Sequence, residues 1–180
     1  QVVVKTVAGL RAAGHQVVVI TTTPGKAETE VVAPDLTIYR IHPRNLFFYT
    51  DAHHHNVLAR FAWHIIDIFN RSAAHAVKDI LAHEKPDVVH THNLMGLSFL
   101  VPKAIRALQL RHIHTVHDVQ LVEPSAMILK LQEKTWRYTG LPTRLYTRLM
   151  RALVGSLHIV ISPSQFLRDF YTSRGFFKNS

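Results

Sequence analysis

Short, apolar, β-branched runs that alternate with helical stretches constrain the fold of this 180-residue chain more than any other feature. Helical periodicity fills most of the sequence between these runs. Parallel strands need such crossover helices, so the alternation predicts an α/β fold with a Rossmann-like, doubly wound parallel sheet. Strands are predicted at residues 17–20, 36–41, 88–91, 112–116 and 158–161.

The helices are predicted from apolar residues that recur three or four positions apart. Val3, Val7 and Leu10 follow this spacing, and Gly14 supplies a residue type that commonly ends a helix. Doubly wound folds open with a strand and this chain opens with a helix, so we expect the first strand to precede Gln1. The remaining helices are predicted over residues 57–83, 97–108, 126–155 (with a break near Gly140) and 166–173.

The net charge of +9 belongs almost entirely to the second half of the chain. Residues 1–100 carry nine Lys and Arg against eight Asp and Glu, whereas residues 101–180 carry twelve against four. An anionic partner is therefore expected, either a phosphate ligand, a nucleic acid or a membrane surface.

Targeting signals and cysteines are missing from the sequence. No apolar run approaches the roughly 20 residues of a membrane span. Lys5 and Arg11 interrupt the opening apolar run, so no signal peptide is predicted. The absence of cysteine excludes a disulfide framework and a thiolate metal site. We expect a cytoplasmic protein that is peripheral at the membrane.

A basic stretch in the second half interleaves cations with aromatic side chains, including Trp136, Tyr138 and Tyr146. Cations beside interfacial aromatic residues favour an anionic membrane surface. A solvated helical face remains an alternative, and no known nucleic-acid-binding signature supports nucleic acid as the partner. The membrane-surface candidates are Lys130, Lys134, Arg137, Arg144, Arg148 and Arg151.

Polar side chains follow three of the predicted strands at the point where each strand ends. Ligands of open α/β sheets gather at the carboxyl ends of the strands, so these side chains predict a polar crevice. His90 and His114 lie within the strands and are expected to fill space with a hydrogen-bonded ring nitrogen. The crevice candidates are His92, Asn93, His117, Asp118 and Ser162.

No metal or cofactor is expected. His53, His54 and His55 are consecutive and cannot all face one ion from a helix or strand, and Asp51 is the only close carboxylate. Neither glycine-rich phosphate loop, G-x-G-x-x-G or G-x-x-x-x-G-K-[ST], occurs in the sequence, and no Asp-x-Asp pair occurs either.

Four segments in the same order resemble the N-terminal domain of family 4 glycosyltransferases. Residues 7–19 resemble its opening helix and second strand, with the pattern Leu…Gly-His…Val. Residues 85–92 (KPDVVHTH) and 115–118 (TVHD) are similar to two of its strand ends. Residues 160–175 resemble the segment that closes that domain. The resemblance spans nearly the whole chain.

This resemblance implies the N-terminal half of a GT-B fold, whose two Rossmann-like domains enclose the active site. It implies transfer of a sugar from a nucleotide-sugar donor to a glycan or lipid-linked acceptor, with retention of configuration at the anomeric carbon. Residues 1–180 would form one acceptor-side domain, truncated at its start. By the same resemblance His117 is the catalytic candidate near the transferred sugar, and the substrate cleft would be lined by Asp118, His92, Asn93 and Ser162.

The resemblance also places the donor-binding domain, with its phosphate-gripping cations, beyond Ser180. We therefore expect residues 1–180 to be inactive without that domain in cis. Two alternatives stay open: a non-catalytic basic domain for anionic membrane or nucleic acid, and another GT-B enzyme such as a nucleotide-sugar epimerase. The expected setting is glycan or glycolipid biosynthesis.

Overall fold

The computed structural model describes residues 2–128 and 134–177. Contacts group these residues into two compact units. The first contains residues 2–85 and 95–98, and the second contains residues 86–94 and the described residues from 99 onward. Each unit combines helices with a three-stranded sheet that contains parallel strands, which confirms the predicted α/β class.

The first unit holds three helices and three strands. Its sheet has the order β1-β3-β2, in which β1 runs parallel and β2 antiparallel to β3. A short 3₁₀ helix at Tyr49–His54 precedes the second helix. The elements are α1 (Val2–Ala12), β1 (Val17–Thr22), β2 (Glu28–Ala33), β3 (Leu36–Ile41), α2 (Val57–Ile68) and α3 (Arg71–Glu84).

The edge strand β2 was not predicted from the sequence. Its side chains are almost all exposed, so it lacks the apolar run by which the buried strands were recognised. Cross-strand charge pairing stabilises it instead, because Arg40 of β3 contacts both Glu28 (3.4 Å) and Glu30 (2.6 Å). An antiparallel edge strand beside parallel ones is common in α/β sheets.

The prediction of one long helix over residues 57–83 is wrong, because the structure has two helices there. Asn70 stands between them, and its side chain accepts a hydrogen bond from Ala73 N at the start of α3. The same side chain donates to the carbonyl of Arg44. The apolar periodicity continues through Asn70, which is why periodicity alone missed the break.

The apolar face predicted for the long helix points outward in α2. Leu58 and Phe61 are 80% and 66% exposed, while Trp63 and Asp67 are buried. Trp63 packs inward because its indole N–H donates to the carbonyl of Phe47 at 2.7 Å. Gly96 N donates to the buried carboxylate of Asp67 at 3.0 Å.

The second unit holds three parallel strands in the order β4-β5-β6. The predicted break near Gly140 is confirmed, since Gly140 separates two helices. The predicted start of this helical region at residue 126 is wrong, because Ala126 has φ 59° and the described residues 126–128 and 134–135 are not helical. The third predicted helix begins at Val101 rather than residue 97, with Pro102 in its first turn. The elements are β4 (Val88–Thr91), α4 (Val101–Ala107), β5 (Arg111–Thr115), α5 (Trp136–Thr139), α6 (Leu141–Val154), β6 (Ile159–Ile161) and α7 (Gln165–Thr172).

The core of the second unit lies between α4, α6 and the sheet. Ile105 of α4 and Met150 of α6 are both completely buried. Arg106 of α4 donates to the carbonyls of Leu153 and Val154, and these hydrogen bonds satisfy carbonyl groups at the end of α6. The packing fixes the strand β5 that carries the site described next.

Candidate functional site

The three parallel strands of the second unit place their carboxyl ends at one edge of the sheet. Thr91, the last residue of β4, pairs with His114 near the end of β5. Thr115, the last residue of β5, pairs with Ile161 of β6. The polar residues that follow β4 and β5 therefore leave the sheet side by side, as the sequence predicts.

His92 and His117, which follow β4 and β5, are in direct contact. The Nδ1 atom of His92 lies 2.9 Å from Nε2 of His117, so one of these nitrogens carries a proton and donates a hydrogen bond to the other. Their rings are nearly parallel, with centroids 5.2 Å apart. The ring of His90 also contacts that of His92, with centroids 4.3 Å apart and the planes tilted by 32°.

Side-chain hydrogen bonds also link the residues of β4 and β5 that precede the pair. The hydroxyl of Thr91 lies 2.7 Å from Nε2 of His112 and 2.8 Å from Nδ1 of His114. The hydroxyl of Thr115 lies 2.8 Å from Nε2 of His90. His90 and His114 thus have hydrogen-bonded ring nitrogens within the sheet, in agreement with the space-filling role predicted for them.

Burial keeps His92, His112 and His114 uncharged at neutral pH. Burial, together with the neighbouring His90 and His117, lowers the pKa of His92 to about 4. Burial also lowers the pKa of His114 to about 3 and that of His112 to about 4. A neutral imidazole offers one donor and one acceptor, so the site has the hydrogen-bonding groups that a hydroxyl requires.

Asp118 is held by the turn that follows His117. Its Oδ1 accepts a hydrogen bond from Gln120 N at 2.9 Å, while burial raises the pKa of the carboxyl group. The carbonyl of Asp118 accepts a hydrogen bond from the hydroxyl of Tyr171 at 2.7 Å. The Gln120 amide thus orients the carboxylate, and the Tyr171 hydroxyl holds the main chain of the same residue.

These side chains enclose a small cleft at the sheet edge, which we call the histidine cleft. Its volume is about 20 Å³, enough for one water-sized group. A single hydroxyl of a larger ligand would fit this space. The cleft is lined by polar groups that include His92, Asn93, His114, His117, Asp118 and Tyr171.

Tyr171 is a member of the cleft that sequence reasoning missed. It lies on α7, far from the strand ends in sequence, and is almost completely buried. Helix α7 was predicted, but nothing in its spacing indicates which side chain packs beneath the cleft. No local sequence signal could have found it.

Ser162 and the basic residues lie outside the lining of the histidine cleft. The Ser162 hydroxyl donates to the carbonyl of Ser164 at 2.9 Å. Lys130 falls outside the described residues, and Lys134 is exposed. Arg137 contacts the carboxylate of Glu123 at 3.2 Å. The other three predicted cations, Arg144, Arg148 and Arg151, line a separate groove.

Neither a metal site nor a membrane-spanning helix occurs among the described residues. Within residues 2–128 and 134–177, no group of three or more His, Asp or Glu side chains could hold a metal ion. No helix in the same ranges is long and apolar enough to cross a membrane.

Comparison with known families decides which family the chain belongs to. The sequence model of the glycosyl transferase 4-like domain matches residues 1–179. The chain belongs to the glycosyl transferase 4-like domain family. The resemblance inferred from the four sequence segments is thereby confirmed.

Other proteins share parts of this glycosyl transferase 4-like domain. An uncharacterised 42.6 kDa protein in the cps region of Klebsiella pneumoniae is 25% identical over 167 residues. That match covers 93% of this chain and 44% of the relative, so the chain spans less than half of the relative's length.

A solved structure described as a UDP-N-acetylglucosamine 2-epimerase from Listeria monocytogenes is also similar to this glycosyl transferase 4-like domain. The two share 16% identity with a TM-score of 0.40, over 80% of this chain and 29% of the other. Likeness at this level carries no conclusion about the activity of this chain.

Proposed function

We propose that this chain is the acceptor-side domain of a retaining glycosyltransferase. The enzyme would move a sugar, of the hexose type, from a nucleotide-sugar donor to a glycan or lipid-linked acceptor. The observation that carries the proposal is the pair His92–His117 at the carboxyl ends of β4 and β5, in a chain of the glycosyl transferase 4-like family. Ligands of parallel α/β sheets bind at this edge.

His117 is the catalytic residue of the proposal. It is exposed at the mouth of the histidine cleft, where it would hydrogen-bond a hydroxyl of the transferring sugar. His92 would hold the His117 ring through the 2.9 Å contact and so select which of its nitrogens carries the proton. Asp118 and Asn93, which line the same cleft, would contact further hydroxyls.

The proposal includes no resident metal or cofactor, since the sequence lacks an Asp-x-Asp pair. The leaving phosphate gains negative charge as the glycosidic bond breaks, and cationic groups must stabilise it. We assign these groups to a donor-binding domain in cis, without which residues 1–180 would be inactive. The length of the Klebsiella relative, of which the match covers 44%, supports a second domain of this kind.

The setting of the reaction also belongs to the proposal. A lipid-linked acceptor would bring the enzyme to the cytoplasmic surface of a membrane as a peripheral protein, in glycan or glycolipid biosynthesis. Ser162 remains a weaker candidate for substrate contact, because its hydroxyl donates to the carbonyl of Ser164.

Product analysis tests this function. The intact protein, including any domains beyond residues 1–180, is incubated with a panel of nucleotide sugars and with lipid or glycan acceptors. The proposal predicts a glycoside whose anomeric configuration matches that of the donor. An inverted glycoside contradicts the retaining mechanism, and an epimerised nucleotide sugar without a glycoside contradicts transferase activity.

A further inference from the structure

An open groove of about 1080 Å³ lies in the second unit, and it shares no residue with the histidine cleft. One wall is α6, and the other is the loop that follows α7. The guanidinium of Arg151 on α6 packs against Gly175 of this loop. A Cβ atom added to Gly175 would lie 3.0 Å from that guanidinium. We call this open groove the arginine groove.

The arginine groove is strongly cationic. Arg144, Arg148 and Arg151 of α6 line it together with Arg174, and no Asp or Glu is among the lining residues. The three α6 arginines form no salt bridge with any carboxylate in the described ranges. Arg174 is fixed differently, since its guanidinium lies 3.7 Å from the ring centre of Phe170. Cations without carboxylate partners in a concave surface attract anions.

Exposed apolar side chains, which we call the apolar ridge, lie beside the arginines of α6. Leu141 and Leu145, four residues apart on α6, are 69% and 59% exposed. Trp136 of the adjoining helix α5 is 76% exposed. Residues three apart are neighbours on a helix surface, so Arg144 lies beside Leu141 and Arg148 beside Leu145. The helix therefore presents apolar and cationic side chains to solvent.

This combination fits one class of partner. Leucine and tryptophan side chains gain free energy by entering the boundary between lipid headgroups and acyl chains, and arginines beside them contact lipid phosphates. A soluble phosphate compound would leave the apolar ridge in water. Nucleic acid would use the arginines but would gain nothing specific from Leu141 and Leu145.

We infer that α5 and α6 form the surface by which this chain binds a bilayer containing anionic phospholipid. Trp136, Leu141 and Leu145 insert at the acyl boundary, and Arg144, Arg148 and Arg151 bind headgroup phosphates. The inference rests on the membrane setting of the proposed function and names the residues and lipid chemistry responsible. It does not depend on the chemistry at His117.

Vesicle co-sedimentation of the intact protein tests the inference. Vesicles of phosphatidylcholine alone are compared with vesicles in which about a third of the lipid is phosphatidylglycerol, in about 0.1 M salt. The wild-type protein should bind the anionic vesicles. The triple variant R144Q/R148Q/R151Q should bind them on the order of 100-fold more weakly, because each cation near an anionic surface contributes to affinity. Equal binding by wild type and triple variant overturns the inference.

A matched control separates this surface from net charge. The variant R44Q/R60Q/R71Q removes the same charge from exposed positions of the first unit and should bind like the wild type. Equal loss in both triple variants means that total charge decides binding, which also overturns the inference. Circular dichroism melting of each variant checks that it is folded.

The apolar ridge distinguishes a bilayer from nucleic acid. The variant L141S/L145S should lose vesicle binding at high salt, where charge attraction is screened. A single-stranded oligonucleotide that binds more tightly than the anionic vesicles and ignores this double variant overturns the lipid assignment. H117A should bind vesicles like the wild type, because His117 lies outside this surface. Loss of sugar transfer and loss of membrane binding can therefore be told apart.

Discussion

His92 and His117 approach so closely because two parallel strands end side by side and each is followed by a histidine. Burial lowers the pKa of His92 to about 4, so the pair contains a neutral imidazole throughout the neutral range. Two imidazoles in contact can then share one proton without charge repulsion. In the proposed function, the remaining ring nitrogen of His117 would meet the hydroxyl of the ligand.

The buried histidines predict how stability depends on pH. Burial lowers the pKa of His112 from 6.5 to about 4, so the unfolded chain binds this proton more readily between those values. Stability from the neutral form is present above pH 6.5 and is lost as the pH falls towards 4. Relative to His112→Gln, the wild type should lose about 3 kcal/mol of unfolding free energy between pH 7 and pH 4.

Urea denaturation at a series of pH values measures this difference. Replacing His112 by glutamine would keep a side-chain amide in reach of the Thr91 hydroxyl while removing the titration. His75→Gln is the control, because the His75 side chain is exposed on α3. Its curve should run parallel to that of the wild type. A parallel curve for His112→Gln as well would contradict the prediction.

Sequence reasoning brought together His92, Asn93, His117 and Asp118, because strand ends can be read from apolar runs. Tyr171 could not be found in the same way. Its place beneath the cleft depends on how α7 packs, and the hydrogen bond to the Asp118 carbonyl joins residues 53 positions apart. Local spacing carries no information about such contacts.

At the level of elements, the end of α6 depends on a glycine. Gly155 has φ 65° and ψ −149°, a conformation that is nearly restricted to glycine. A Cβ there would lie 2.6 Å from the Arg106 guanidinium, which binds the last carbonyls of α6. Gly155→Ala should therefore lower the free energy of unfolding by about 3 kcal/mol, from backbone strain and the loss of these hydrogen bonds.

Gly9→Ala is the matched comparison for this prediction. Gly9 lies inside α1, and a Cβ there would meet no atom within 4 Å. Alanine at such a position should raise the free energy of unfolding by about 0.5–1 kcal/mol. Thermal or urea unfolding of both variants measures the two effects. A Gly155→Ala protein as stable as the wild type would rule out the proposed role of the glycine.

The elements themselves were predictable to different degrees. Strands β1, β3, β4, β5 and β6 were all found, because short apolar runs with β-branched residues are distinctive. The edge strand β2 is exposed and charged, so it lacked that signal. The break between α2 and α3 depends on the Asn70 side chain, which caps α3 without interrupting the apolar spacing. A helix cap or the pairing of an edge strand depends on a few individual side-chain contacts, which the spacing of apolar residues does not reveal.

At the scale of the whole molecule, part of the excess positive charge of residues 101–180 can be assigned to one surface groove. Three arginines of the predicted basic stretch line one groove in the second unit, whereas Arg137 pairs with Glu123. The cations of the predicted basic stretch therefore differ, since some pair with a carboxylate among the described residues and others do not. Two of those without a carboxylate partner, Arg144 and Arg148, lie beside Leu141 and Leu145, which the charge count alone did not indicate.

The central claim is that His117 orients the transferring sugar in the intact enzyme. The direct measurement is kcat for His117→Ala, with the donor and acceptor identified by product analysis. Loss of a hydrogen bond made in the transition state should lower kcat by about 100-fold, whereas the exposed control His83→Ala should stay within about two-fold of the wild type. A His117→Ala enzyme that transfers sugar at the wild-type rate would contradict the account.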